Sequence, residues 1–336
     1  MKKLLSLLSM LCMSMVVFAQ NTLVATLSHG EDVTMYYGVY ALQSAMKAAV
    51  SGDIINLSGG GFQATDITKG VTLRGTGIDD ATPSYISGNF TINVASDDAN
   101  RLSMEGIRCT GTITMSGTFS NACFLKCKLN QFSYASNSNI QNTSFVNCKI
   151  IGNYFYLQGS STVTFFNSYV GGFWNNAEEK ASASFINCLI LTYHESWKIG
   201  GFDRAFYIRS SILYNCIIYR TGSDLQSLPN TTLAINCVAI NSPGIFGSCQ
   251  NCSYAASAEA VFTDFTGSYS DTQTFKLSDE AKTKYLGTDG TEVGMHGGMM
   301  PYDSTPSYPQ ITKMKVANRT TADGKLSVEI EVSAAE

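Results

Sequence analysis

The chain has 336 residues, a formal net charge of −4 and a charged fraction of only 14%. It contains no basic stripe, which argues against nucleic acid as a partner. Glycine, serine, threonine and asparagine supply much of the polarity, a composition typical of many short strands joined by tight turns.

Residues 1–19 have the pattern of a cleaved signal peptide. Two lysines precede a largely apolar run from Leu4 to Phe18, and Val17 and Ala19 stand at the −3 and −1 positions of a signal-peptidase site. The run is too short to span a membrane convincingly. We therefore expect a mature chain without a transmembrane segment, secreted or held in the cell envelope, in the periplasm or on the outer surface.

The first predicted element of the mature chain is a helix over residues 40–50. Its apolar residues recur at helical spacing, and the Ser-Gly-Asp sequence at 51–53 ends it. Strands are predicted over residues 54–57 and 69–77.

A repeat of about 20 residues follows. Copies of a short apolar-Asn-Cys motif lie at 144–150, 164–170, 184–190, 212–218 and 233–239, the second with Ser168 in place of the cysteine, and degenerate copies lie at 124–127 and 249–252. The ladder position of the motif runs through Lys126, Asn147, Asn167, Asn187, Asn215 and Asn236, at intervals of 21, 20, 20, 28 and 21 residues.

These repeats predict an all-β fold, a right-handed parallel β-helix, because each unit is long enough for one turn of a β-solenoid and too short for a helical pair. Successive turns of such a coil lie about 4.8 Å apart. The asparagines then stack into a ladder whose amides bond along the stack and satisfy the backbone at a left-handed corner.

A second ladder of small side chains runs beside the asparagines. It contains Cys127, Cys148, Ser168, Cys188, Cys216 and Cys237. Buried free thiols, which pack well, are one interpretation. Disulfides between neighbours in an oxidising compartment are the other, with Cys249 and Cys252 the favoured pair. One cysteine per turn without clustered histidines disfavours a metal site.

The sequence changes character after Pro301. Strands are predicted over 311–317 and 325–332 around a Gly-containing turn, and the second alternates apolar and polar residues. We interpret residues 20–303 as the β-helix with its helix cap. Residues 304–336 would form a short β-hairpin tail packed on the carboxyl end of the coil, and a fragment of a separate domain is the alternative.

The helix, the Gly-Asp turn and the segment from Val71 to Gly77 resemble the amino-terminal cap of the right-handed parallel β-helix (pectate-lyase-like) superfamily. Residues 286–298 resemble the closing segment of secreted bacterial β-helix proteins, and the asparagine ladder resembles that of the superfamily. The resemblance covers residues 22–300 and implies that the helix covers the open end of the coil. It specifies a fold and not an activity.

Lyases of that superfamily hold Ca²⁺ with a cluster of acidic residues and use Arg or Lys as the base, and its hydrolases place carboxylates across the bond that is cut. Residues 106–177 of this chain contain no Asp or Glu. We therefore predict no cofactor; Ca²⁺ is compatible with the resemblance but lacks an acidic cluster.

The 28-residue interval between Asn187 and Asn215 predicts a loop of eight extra residues, and loops on rigid scaffolds often carry function. If the protein is a divergent polysaccharide lyase or glycoside hydrolase acting at residues 188–214, the candidate catalytic residues are Glu195, His194 and Arg204. Solvated loop residues with incidental ion pairs are the alternative. His296, beside glycines, is either functional or a packing residue.

Counting six and seven residues past the ladder positions predicts an aromatic band along one edge of the coil. The counts give Phe132, Asn153, Phe173 and Tyr193, then Ser133, Tyr154, Trp174 and His194. Exposed aromatic faces beside polar groups suit sugar rings, so we predict glycan binding through Tyr154, Trp174, Tyr193, Trp197, Asp203 and Arg220. Aromatic stacking that merely stabilises the coil is the alternative.

We favour a secreted, non-catalytic, carbohydrate-associated protein, monomeric, whose partner is a polysaccharide or a cell-surface glycan. A lyase or hydrolase, and a structural or adhesin-like protein, remain the alternatives.

Overall fold

The structure is a computed structural model that describes residues 23–333, with gaps at 80, 96–97, 153–154, 176–179, 194–197, 200–201, 204–205, 208–209, 222–227, 229, 266–268, 317–318 and 322. Of the structure so described, 43% is strand and 5% is helix. Its strands form a parallel β-solenoid of about seven turns, which confirms the parallel β-helix that the repeat predicts.

The described helices are α1 (Ala41–Ala48) and α2 (Asp279–Lys284). In chain order the strands are β1 (Val24–His29), β2 (Asp32–Tyr37), β3 (Ile54–Leu57), β4 (Gly60–Gln63), β5 (Thr72–Arg74), β6 (Ser84–Ser87), β7 (Phe90–Ile92), β8 (Ser103–Glu105), β9 (Arg108–Met115), β10 (Thr118–Ser120), β11 (Cys123–Leu125), β12 (Lys128–Tyr134), β13 (Asn139–Gln141), β14 (Thr143–Val146), β15 (Lys149–Ile150), β16 (Phe155–Leu157), β17 (Thr162–Phe166), β18 (Tyr169–Val170), β19 (Phe173–Asn175), β20 (Ser182–Ile186), β21 (Leu189–Tyr193), β22 (Lys198–Ile199), β23 (Phe202–Asp203), β24 (Phe206–Tyr207), β25 (Ile212–Tyr214), β26 (Ile217–Thr221), β27 (Leu233–Ile235), β28 (Val238–Ile240), β29 (Ser248–Gln250), β30 (Ser253–Ala255), β31 (Gln310–Val316) and β32 (Val328–Ser333).

Two long sheets and one short sheet form the walls of the coil. The first sheet has the order β2-β1-β3-β5-β8-β11-β14-β17-β20-β25-β27-β29. The second has fourteen strands and contains the path β12-β15-β18-β21-β26-β28-β30, and the short sheet pairs β10 with β13. Pairing along the coil from β3 onward is parallel, so equivalent residues of successive turns lie side by side.

The interior of the coil is a set of stacked apolar columns. The first sheet contributes a column whose central members are Phe124, Phe145, Phe165 and Phe185, with neighbouring ring centroids 4.8–5.0 Å apart. Phenylalanines of the second sheet meet this column edge-on. All four are fully buried, so the stacked phenylalanines form the centre of the hydrophobic core.

The amino end is closed by α1 together with an antiparallel pair, β1 and β2, that the sequence did not predict. The helix buries Ala41, Leu42, Ala45 and Met46, one face at helical spacing. The Lys69 ammonium donates to the carbonyl oxygens of Met46 and Lys47 at 3.1 and 3.3 Å, which caps the helix carboxyl end. The predicted helix cap is therefore present.

The ladder residues adopt the left-handed conformation that the corner requires. Their φ angles lie between 44° and 55° at Lys126, Asn147, Asn167, Asn187, Asn215 and Asn236. Asparagine tolerates this conformation better than most residues because its short amide bonds locally. The corner joins the first sheet to the second on every turn.

The cysteine column lies inside the coil next to this corner. All nine cysteines that follow residue 19 are free, and six of them are buried. Burial raises the pKa of the Cys109, Cys148, Cys216 and Cys237 thiols, which keeps them protonated.

The carboxyl-terminal part of the chain wraps the outside of the coil. The cover, residues 256–285, packs Phe262, Phe265 and Phe275 against outward side chains of the second sheet such as Leu189 and Ile217. The strap, residues 286–308, then runs back along the asparagine corner towards the amino-terminal turns. It contacts Asn215 through Thr288, Asn167 through Gly297, Lys126 through Asp303 and Glu105 through Ser307.

The strap places the start of the hairpin at the opposite end of the coil from the one that we predicted. Tyr308 donates a hydrogen bond to the Gly75 carbonyl, so the chain enters β31 beside the amino-terminal turns and not at the carboxyl end of the coil. β31 and β32 pair with each other antiparallel. Every residue of β32 is exposed, so this strand is not packed on the coil as expected.

Among the described residues no helix is long and apolar enough to cross a bilayer.

Candidate functional site

Most of the predicted site residues cannot be placed. Glu195, His194, Arg204, Tyr154 and Trp197 lie outside the described residues. Tyr193, Asp203 and Arg220 have described backbones only: Tyr193 ends β21, Asp203 lies in β23, and Arg220 lies in β26 in register with Thr192. The catalytic and most of the binding assignments therefore stay predictions.

The long interval between Asn187 and Asn215 is one turn of the coil, as predicted. Phe185 pairs with Leu213, and Leu189 pairs with Ile217. Within the inserted residues β22 pairs antiparallel with β23. The insertion thus contains a small two-stranded antiparallel element.

The aromatic band differs in register from the prediction. Phe132 and Phe173 point into the core, where they are 0% and 1% exposed, and align with Phe155. The residue beside Trp174 is Tyr156 and not Tyr154. The reason is the spacing after the corner: Phe155 lies eight residues past its ladder residue, whereas Phe132 and Phe173 lie six past theirs. Two extra residues therefore lie between the corner and β16, although the turn as a whole is no longer than its neighbours.

Tyr156 and Trp174 form a half-buried aromatic pair on the outer face of the second sheet. Their rings stack with centroids 4.2 Å apart and planes inclined by 16°. Neighbouring strands hold them because β16 and β19 pair in parallel register. Ser133 precedes Tyr156 in the same outward column and contacts Thr114 through its hydroxyl at 3.3 Å. The pair presents aromatic edges beside small hydroxyl side chains.

A second outward column of the same sheet carries positive charge. Arg108, Lys128 and Lys149 lie side by side on three successive turns. Tyr85 precedes them and Tyr169 follows them. Three cations at the turn spacing repel one another, so the column requires counter-charges.

Two aspartates from elsewhere in the chain supply those counter-charges. Asp271 of the cover accepts hydrogen bonds from Lys128 at 2.5 Å and from Tyr269 at 2.8 Å. Burial alone would raise the pKa of Asp271, but these hydrogen bonds and the charges of Lys128 and Arg108 lower it below its usual value. Asp79 lies 3.5 Å from the Lys149 ammonium.

Beside this column the coil, the cover and the strap form an open cavity of about 240 Å³. Asp79 and Lys149 of the coil, Asp271 to Lys276 of the cover, and His296 and Tyr302 of the strap line it. His296 is thus placed at the cavity wall, with its Nε2 2.7 Å from the Thr274 carbonyl oxygen and its ring 6.0 Å from that of Tyr302. Burial and the nearby Asp79 carboxylate raise the pKa of Tyr302, so its hydroxyl stays protonated.

The described part of the chain does not fit a Ca²⁺ site of the kind the resemblance implies. It contains no group of three or more His, Cys, Asp or Glu side chains that could hold a metal ion. The two carboxylates at the cavity each face a lysine. Hard cations prefer several oxygen ligands without such competing cations.

Sequence reasoning missed the basic column, although a signal was available. Counting two residues past the ladder position gives Lys128 and Lys149, and Gly106, which also has a positive φ of 66°, leads in the same way to Arg108. The partners Asp79 and Asp271 lie far from the repeat in sequence, and no spacing rule points to them.

No protein-family model, no curated protein and no solved structure matches this chain. The fold alone therefore defines its class, which is a parallel β-solenoid.

Proposed function

We propose that this protein is a secreted or envelope-held, non-catalytic, carbohydrate-associated member of the pectate-lyase-like β-helix superfamily. Its partner would be a polysaccharide or a cell-surface glycan that a monomer binds along the outer face of the second sheet.

The observation that carries the proposal is the stacked pair of Tyr156 and Trp174. Both rings are half-buried on the outside of the coil. An aromatic stack with a purely structural role is better placed inside the coil, as the phenylalanine columns are. Aromatic C–H and π surfaces next to the hydroxyls of Ser133 and Thr114 match the alternating apolar and polar character of a sugar ring. Thr114, Ser133, Tyr156 and Trp174 lie side by side on four successive turns, so this column follows the coil axis as an extended polymer would.

Fluorescence of Trp174 tests the proposal directly, because the chain has only two tryptophans. In a Trp197→Phe variant, Trp174 is the only indole. Titration with soluble pectin, xylan and dextran should give a saturable change for at least one polymer. Tyr156→Ala in that background should weaken binding at least about fivefold, in line with a ring contact of roughly 1 kcal/mol.

The matched control is Tyr254→Ala, which removes a tyrosine that is 46% exposed in the last strand of the same sheet. That change should leave the titration unaltered. A flat response to all three polymers, or equal losses in both tyrosine variants, would contradict binding at this pair. New reducing ends or unsaturated products would show that the protein is an enzyme.

A further inference from the structure

We propose that the cavity between Lys149, Lys276 and His296 is a binding site for a small ligand that carries an oxoanion, a carboxylate or a sulfate group. The site lies on a different outward column from Tyr156 and Trp174. This inference does not rest on the proposed function.

The inference rests first on the burial and the contacts of the Lys149 side chain. Its side chain is only 7% exposed, and a buried ammonium normally has several hydrogen-bond acceptors because desolvation is costly. Over the part of the chain that the structure describes, the ammonium donates no hydrogen bond, and the Asp79 carboxylate stands off at 3.5 Å. Its other contacts are the ion pair with Asp79 and the ring of Tyr302, whose centroid lies 5.4 Å from Nζ, so its N–H groups can still donate to a ligand in the cavity that it lines.

The pairing of charges leaves one cation of the lining without a partner. The residues that line the cavity include two cations, Lys149 and Lys276, and two carboxylates, Asp79 and Asp271, so their formal charges cancel. Asp271 accepts from Lys128, which lies outside the lining, and Asp79 faces Lys149. Among the described residues Lys276 therefore has no ion-pair partner, and an anion in the cavity would neutralise it.

The walls also suit a small polar ligand with one apolar face. Phe275 and Tyr302 provide ring surfaces, and the Tyr302 hydroxyl remains a donor. When the His296 Nε2–H donates to the Thr274 carbonyl, the neutral ring leaves Nδ1 as an acceptor for a ligand hydroxyl. The volume of about 240 Å³ accommodates one ring-sized molecule and not a polymer segment.

Isothermal titration calorimetry at constant ionic strength tests the site with three probes: sodium sulfate, sodium glucuronate and glucose. We expect sulfate or glucuronate to bind, and glucose to bind at least tenfold more weakly than the better anion. Lys276→Ala, a change of an exposed side chain that the fold tolerates, should weaken anion binding at least fivefold, and Lys149→Met should do the same. Lys47→Ala, which removes an exposed lysine of α1, should leave binding unchanged.

The probes also separate the two sources of the anion. Tighter binding of glucuronate than of sulfate would assign an anionic sugar, and the reverse order would assign a free oxoanion. Equal binding of glucose and glucuronate, no binding of either anion, or the same anion affinity in Lys276→Ala and Lys47→Ala would overturn the inference. The Trp174 fluorescence titration with polysaccharides should be unaffected by Lys276→Ala, so failure here and failure of the glycan proposal are distinguishable.

Discussion

At the scale of single residues, the asparagine corner combines a backbone requirement with a side-chain one. Asn167 has a φ of 44°, which most L-residues adopt only with strain. Its amide also donates to the carbonyls of Met295 and Gly297 at 3.0 and 2.7 Å. One residue thus shapes the corner and holds the strap.

Replacing Asn167 separates these two roles. Asn167→Gly keeps the backbone free to adopt a positive φ but loses both hydrogen bonds, and should lower the free energy of unfolding by about 1–2 kcal/mol. Asn167→Ala adds the strain and should cost about 1 kcal/mol more. Urea titration measures both variants. Equal losses would mean that backbone strain does not explain the asparagine.

The ion pair of His29 should make the folding stability of the amino end depend on pH. Its Nδ1 lies 2.6 Å from the Asp53 carboxylate, and this hydrogen bond and the carboxylate charge raise the pKa of His29 above its usual 6.5. A raised folded-state pKa means that the stabilisation is complete below about pH 6.5 and is lost as the pH rises through the folded-state value. We expect stability to fall over that window.

Proton NMR titration of the His29 ring should show a midpoint above 6.5 that returns towards 6.5 in Asp53→Asn. Asp32→Asn is the control, because the Asp32 charge is the weakest of the contributions to the raised pKa. A midpoint that stays high in Asp53→Asn would contradict the assigned cause.

At the scale of elements, the strap and the hairpin have different roles although they are continuous in sequence. The strap buries Val293 and Met295 and bonds to successive ladder residues. The hairpin strand β32 exposes Val328, Ile330 and Val332, between 48% and 59% of each. Of these two segments, we therefore expect the strap and not the hairpin to contribute to the free energy of unfolding.

Two truncations test this difference. A chain that ends at Pro309 keeps the strap and should unfold at the same urea concentration as the full chain. A chain that ends at Tyr285 loses at least eight hydrogen bonds to the ladder residues and the burial of Val293 and Met295, and should lose at least about 4 kcal/mol. A large loss on removing the hairpin alone would contradict the exposed state of β32.

At the scale of the whole molecule, one outward column of the second sheet has a basic part and an apolar part. Its outward column is Arg108, Lys128 and Lys149 on the amino-terminal turns, and it becomes apolar from Leu189 onward. The cover packs on the apolar part. Residues 271–276 of the cover lie beside the basic part, where the cavity forms because charged side chains need counter-charges and are not packed over as the apolar ones are.

The repeating features of this protein could be predicted from its sequence. The period of about 20 residues and the asparagines at each left-handed corner follow from contacts between turns at fixed spacing, and fixed spacing is visible in sequence. The features that do not repeat depend on how distant segments pack. Two extra residues after Asn147 moved Tyr156, not Tyr154, beside Trp174. Asp271 meets Lys128 across 143 residues of chain, and the strap returns to the amino-terminal turns. Such pairings arise from chain reversals and surface packing, for which no local period exists, so the cavity became visible only when the chain was folded.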